Sequence, residues 1–162
     1  MALLLETYIP VVQEGGLNTN KNAAFGGNVN ITGITTTTGI NLENHVPVAI
    51  NATATATAAQ VSTGYITSTS AAATTITLPT GTLLGAALSA TQGTTLDLYI
   101  DNTAGANTVT IAVATNGALS AAAVAGTGAG FGLLTIPNGA TGIGRFTIMF
   151  SSPTAYVFTR TA

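Results

Sequence analysis

The strongest pattern in the chain is an alternation of apolar and polar residues across its last hundred positions. Leu96, Leu98 and Ile100 fall on one side of a period-2 run, and Thr95, Asp97, Tyr99 and Asp101 on the other. Val109, Ile111 and Val113 repeat this against Thr108, Thr110, Ala112 and Ala114. The runs are joined by Asp101-Asn102-Thr103-Ala104-Gly105-Ala106-Asn107, a string of turn formers, so together they predict a β-hairpin with a moderately long loop. Phe146, Ile148 and Phe150 alternate with Arg145, Thr147, Met149 and Ser151; Ser152-Pro153 turns the chain, and Ala155 to Arg160 forms a last strand with Tyr156 and Phe158 on one face. Each such side chain contributes ~1.5–3 kcal/mol when buried. One stretch departs from period two. After Pro79, Leu83, Leu84, Ala87 and Leu88 form a stripe that predicts a short helix over Thr82 to Ser89, which Gly85 weakens by ~1 kcal/mol relative to Ala.

Upstream the signal thins, and three parts are expected. Residues 1–20 read as an extended apolar arm punctuated by Pro10 and Gly15-Gly16, and residues 21–60 as a Gly/Thr/Asn-rich connecting segment with short strands. Residues 61–162 read as the packed domain. Short strands separated by turn signals predict an all-β fold, an antiparallel sandwich, jelly-roll-like domain or small barrel, with the arm and one short helix attached.

Charge narrows the function. Only 5 % of residues are charged, whereas a well-solvated small domain carries ~25–35 % on its surface. The inventory is Glu6, Glu14, Lys21, Glu43, Asp97, Asp101, Arg145 and Arg160, with His45 as the one imidazole. Three cations cannot neutralise a run of phosphates, so no nucleic-acid partner is expected. Without Cys there is no thiolate nucleophile and no disulfide frame, and one His beside scattered carboxylates does not make a zinc site. The chain is nevertheless 46 % hydrophobic with a net charge of −2, the opposite of a disordered composition.

Candidate chemistry is sparse. His45 has Glu43 two residues before it, but two ligands hold no metal, and a triad would need Asp97 or Asp101 from far along the chain. Asp97 and Asp101 on one strand stand ~13 Å apart, beyond the separation of a glycosidase pair. Gly126, Gly128, Gly130 and Gly132 fit neither phosphate-loop fingerprint and read as a close-packing strip or loop. No catalytic residue, cofactor, metal or small-molecule substrate is expected, and so no enzyme. The opening MALLLETYIPVV lacks a basic start and a cleavage site, so no signal peptide is expected. Gly117 to Ile136 is uncharged and about long enough to span a bilayer, but its Ala, Gly, Ser and Thr transfer weakly, so no membrane partner is expected either.

The arm is the more informative feature. Leu3, Leu4, Leu5, Tyr8, Ile9, Val11 and Val12 are too few and too local to form their own core. Fixing twenty backbone residues costs ~20–40 kcal/mol, so either the domain itself or a neighbouring chain must hold them, and a neighbour is expected. These seven are the candidate partner-binding residues.

Three stretches carry a resemblance: TTITLPTGTLLGAAL, LDLYIDNTAGANTVTIAVATNG and IGRFTIMFSSPTAYVFTR. A Thr-rich strand ending in Leu-Pro, a short helix, an NTAGANTVTI hairpin and an aromatic last strand resemble a domain of tailed-phage structural proteins. The segment NKNAAFGGNVNITGITTTTG is similar to Gly/Thr-rich repeats that join domains in phage fibres and head appendages. The resemblance implies a virion component, made in the host cytoplasm and placed on the outer capsid surface: a decoration (cement) protein or head fibre, commonly a homotrimer. The partners it implies are the major capsid protein and neighbouring copies. The alternatives are a head or tail fibre module that binds a host surface glycan, and a self-assembling extracellular filament subunit.

Overall fold

In the computed structural model the chain divides into residues 1–42 and 43–162, and the structure describes residues 44–119 and 134–161, all within the second unit. Arm residues Leu3, Leu4, Leu5, Tyr8, Ile9, Val11 and Val12 therefore lie outside the described residues, as do Glu43 and the glycines from Gly126 to Gly132.

The chain builds its core by winding. Strand β1 (Val48–Ala49) passes into β2 (Ala54–Thr55) and helix α1 (Ala58–Ser62); β3 (Tyr65–Thr67) passes into β4 (Thr74–Thr77) and helix α2 (Gly81–Leu88); β5 (Thr95–Asp101) passes into β6 (Val109–Ala112) and β7 (Gly117–Leu119). β1, β3 and β5 stack in parallel in one sheet, with Val48 beside Ile66 and Ile66 beside Ile100. β2, β4 and β6 stack in parallel in a second, with Ala54 beside Ile76 and Ile76 beside Ile111. Each pass thus lies on the one before. The ladders continue past the strand ends, where Ile50, Ser68 and Asn102 stack, all buried. The remaining strands close the sheets in antiparallel fashion. β8 (Thr135–Ile136) joins β6, while β9 (Ile143–Ser152) and β10 (Ala155–Arg160) add a hairpin beside β5, with β7 parallel to β10 at the far edge.

The expected antiparallel all-β sandwich is therefore corrected: the fold is mixed α/β, with parallel and antiparallel strands in both sheets and two helices among the described residues. The apolar faces were legible. Leu98, Ile100, Val109, Ile111, Phe146, Ile148, Phe150, Tyr156 and Phe158 are all buried. Strand pairing was not, because period two marks a half-buried strand without naming its neighbour. The expected β5–β6 hairpin fails for a local reason. The Asn102 backbone N–H donates to Gly142 O, and its buried side-chain Nδ2 donates to Asn107 O, Ile136 O and Pro137 O. These bonds turn the chain out of the six-stranded sheet and into the four-stranded one.

Residues 48–60, which composition places in the connecting segment, form most of the first pass. Its helix α1 carries a capping box: Thr57 Oγ1 accepts from Gln60 N, and Gln60 Oε1 accepts from Thr57 N. Helix α2 matches the expected helix to within one residue, but only part of the predicted stripe is inward, since Leu84 is buried while Leu83 is 61 % exposed. The seat is made by Gly81 and Gly85. A Cβ on either would stand 2.3 Å from Thr154 O or 1.9 Å from Pro153 O, so only glycine lets the helix rest on the β9–β10 turn. Beneath it Tyr156 donates its hydroxyl to Pro79 O at 2.9 Å, and burial pushes that phenol up to about 12. The ends of the uncharged 117–136 segment are strands β7 and β8, and no helix among the described residues is long and apolar enough to cross a membrane.

Candidate functional site

Two outward faces follow from the alternation, one on each sheet. On the six-stranded sheet the polar positions of β3, β5 and β9 fall in register: Tyr65 beside Tyr99 beside Arg145, and Asp97 beside Thr147. Three of the four charged side chains among the described residues, Asp97, Asp101 and Arg145, gather here. The Arg145 guanidinium donates to Asp97 Oδ2, and Thr147 Oγ1 donates to Asp97 Oδ1 at 2.9 Å. The Asp97 carboxyl is consequently held below the usual aspartate range, chiefly by Arg145. Asp101 is held low as well, first by the Thr103 hydroxyl at 2.6 Å and then by the Thr103 amide at 2.9 Å, while Tyr65 donates its hydroxyl to Asp101 Oδ2 at 2.7 Å. That bond to a carboxylate raises the Tyr65 phenol.

His45 is brought onto this face. Its Nδ1 lies 3.0 Å from Thr63 O, a pure acceptor, so Nδ1 carries the proton. The ring sits directly over Gly64, whose φ of +74° and missing Cβ make the space: a Cβ there would be 2.6 Å from His45 Nδ1. The imidazole is tilted against Tyr99 with ring centroids 5.7 Å apart, and the Arg145 guanidinium lies 5.8 Å from the Tyr99 centroid. His45 borders two clefts, one lined by Asn44, Tyr65, Tyr99 and Ile143, the other by Thr95, Leu96, Asp97 and Thr147. The fold thus joins His45 to Asp97 on one face, though they stand far apart in the chain. With both carboxyls held low, neither is poised as a general acid at neutral pH. No group of three metal-ligating side chains occurs among the described residues.

Two members of this site escaped the sequence reading of function. Tyr65 and Tyr99 each occupy a polar position of an alternating strand, and that placement of an aromatic ring was the available signal.

The four-stranded sheet turns a different face outward. With Ile76, Ile111, Val109 and Ile136 directed into the core, Thr75, Thr110 and Thr135 form one row across three strands. Thr53 extends it, its Oγ1 accepting from Thr75 N at 3.1 Å. Thr55, Thr77 and Ala112 make a second row. Thr55 also borders a groove with Ala56, Thr57, Ala58, Pro79, Thr80 and the exposed Leu83. None of these residues is charged, but at the end of the first row the Arg160 guanidinium donates from Nη1 to Thr135 O at 3.1 Å.

Comparison with known proteins finds no relative: no family model, no curated protein and no solved structure matches the chain.

Proposed function

We propose that the chain is a structural component of a phage virion that decorates the outer capsid surface, held as a homotrimer by protein–protein contacts with the major capsid protein and neighbouring copies, and that it catalyses no reaction. The observation that carries this reading is the outward face of the four-stranded sheet, where Thr53, Thr75, Thr110 and Thr135 form one row, with Arg160 at its end, and Thr55 of the second row borders the groove beside Leu83. Threonine is β-branched, so little rotamer freedom remains to be lost on contact. Its methyl group and single hydroxyl are desolvated at far lower cost than a carboxylate or ammonium. Such a surface suits repeated, close, low-charge contacts in a lattice. Binding confined to the assembled shell stabilises it by RT ln(1 + [L]/Kd), and multiple contacts add through avidity. In this reading the apolar residues of the arm, Leu3 to Val12, supply a second contact.

Co-sedimentation of the full chain with undecorated capsids of the encoding phage tests the reading. The chain is expected to pellet with the shells at ~1 µM. The pair T75E and T110E, which places two carboxylates in the contact, weakens binding at least ~10-fold while leaving the melting temperature of the free protein within a few degrees. Removal of residues 1–20 also weakens it. Failure to pellet at ~10 µM, or equal binding by both variants, refutes the reading.

A further inference from the structure

We propose that the cleft on the opposite face, lined by Asn44, His45, Tyr65, Tyr99 and Ile143, is a binding site for a neutral saccharide. It is independent of the decoration reading, because it uses the other sheet and different side chains.

The floor comes first. Tyr65 and Tyr99 are register partners on adjacent parallel strands, and both line the cleft. Each ring is held in place beforehand. Tyr65 is anchored through its hydroxyl to Asp101, and Tyr99 is flanked by the His45 ring and the Arg145 guanidinium. A rigid aromatic platform gives large contact area at small entropic cost. His45 is likewise seated, by Thr63 O and the open space over Gly64.

The walls then select the ligand. Beside the tyrosines stands the Asn44 amide, a donor and acceptor, and the Asp101 carboxylate lies outside the lining, at the far end of Tyr65. A pyranose matches this set, since it presents an apolar C–H face to a ring and hydroxyls around its edge. Charge sharpens the choice. Arg145 is paired with Asp97, whereas the Asp101 carboxylate beyond Tyr65 is bonded by two hydroxyls and an amide, so a sugar acid meets repulsion there that a neutral hexose does not. A peptide fits less well. β3 lies between β1 and β5, and β5 between β3 and β9, so the strand edges at the cleft are already paired and offer no backbone ladder to join.

The test uses the full chain, with glucose, galactose, mannose and N-acetylglucosamine as probes, glucuronic acid as the anionic control and an aromatic hexapeptide as the rival ligand. Titrations are followed by NMR on the unsubstituted protein. Methyl glycosides run beside the free sugars separate a glycan terminus from a free sugar as the source. At least one neutral sugar is expected to bind with a Kd of about 0.1–10 mM, weak but saturable, with shifts concentrated at Tyr65, Tyr99 and His45. Y99A weakens it ~10-fold, while T82A, at an exposed position of helix α2, does not. The proposal is overturned if no neutral sugar binds at ~50 mM, if shifts centre elsewhere, if glucuronic acid binds as tightly, or if only the peptide binds. The NMR map on the unsubstituted chain decides these points even if Y99A fails to fold.

Discussion

Replacing Asn102 offers the sharpest test of how the passes are tied together. The residue is fully buried at the point where the chain leaves β5, and its Nδ2 lies 2.8 Å from Asn107 O, 3.2 Å from Ile136 O and 3.0 Å from Pro137 O. An amide nitrogen carries two hydrogens, so one of them is shared between two carbonyls. In Asn102→Ala the donor disappears and buried carbonyls lose a partner, at about 1–3 kcal/mol each where they stay dry. A small cavity adds to this, while removal of Oδ1, which has no hydrogen-bond partner among the described residues, gives some back. The net expectation is a loss of about 2–4 kcal/mol. Asn102→Asp has nearly the same shape but places an acceptor against carbonyl oxygens, so its loss exceeds that of the alanine variant. Urea unfolding followed by circular dichroism measures both: with a slope of ~1.5–2 kcal/mol per molar, Asn102→Ala moves the midpoint down by ~1–2 M. Amide exchange at Ile111, whose N–H donates to Leu134 O, accelerates as β8 loosens. An alanine variant within ~0.5 kcal/mol of the parent, or an aspartate variant as stable as the alanine one, refutes the role given to this side chain.

Three further outcomes follow from the packing and the charges. Gly85→Ala improves helix propensity by ~1 kcal/mol, yet its Cβ would stand 1.9 Å from Pro153 O, so a net destabilisation of ~1–3 kcal/mol is expected in thermal melts, and a higher melting temperature contradicts the seating of α2. Thr74 is buried and its Oγ1 has no hydrogen-bond partner among the described residues; Thr74→Val keeps the shape, removes the hydroxyl and raises stability by ~1 kcal/mol, and a loss instead shows that the hydroxyl is satisfied. Asp97 and Asp101 both have folded-state pKa values below the ordinary one, so the stability they contribute is complete above the usual aspartate value near 3.9 and is lost as pH falls below it through the lowered values. Denaturant midpoints measured from pH 6 downward are expected to fall below pH 4, less steeply in D97N and D101N, and unchanged slopes contradict the two networks.

Much of the core was legible in the sequence because burial imposes period two whatever a strand's neighbours are. Leu98, Ile100, Phe146, Ile148, Phe150, Tyr156 and Phe158 are inward as the alternation requires. The stacking of passes was hidden by their unequal length. Val48 and Ile66 are 18 residues apart, but Ile66 and Ile100 are 34 apart, so no constant repeat shows along the chain. Ala54 and Thr55 pair with Ile76 and Thr77, though nothing local distinguishes them from a linker. Gly85 counted against a helix until its neighbour across space was known. The same holds for function: Thr75 and Thr110 are ordinary polar positions on their own strands, and only parallel pairing places them in one row. Tyr65, 34 residues from Tyr99, becomes its neighbour for the same reason.

Cryo-electron microscopy of undecorated capsids incubated with the full chain tests the decoration reading most directly. The account predicts ordered density at repeated positions on the outer shell, with the Thr75 and Thr110 row packed against capsid protein or an adjoining copy. Bare shells at saturating concentration, or density attached only through the Tyr65 and Tyr99 face, would contradict it.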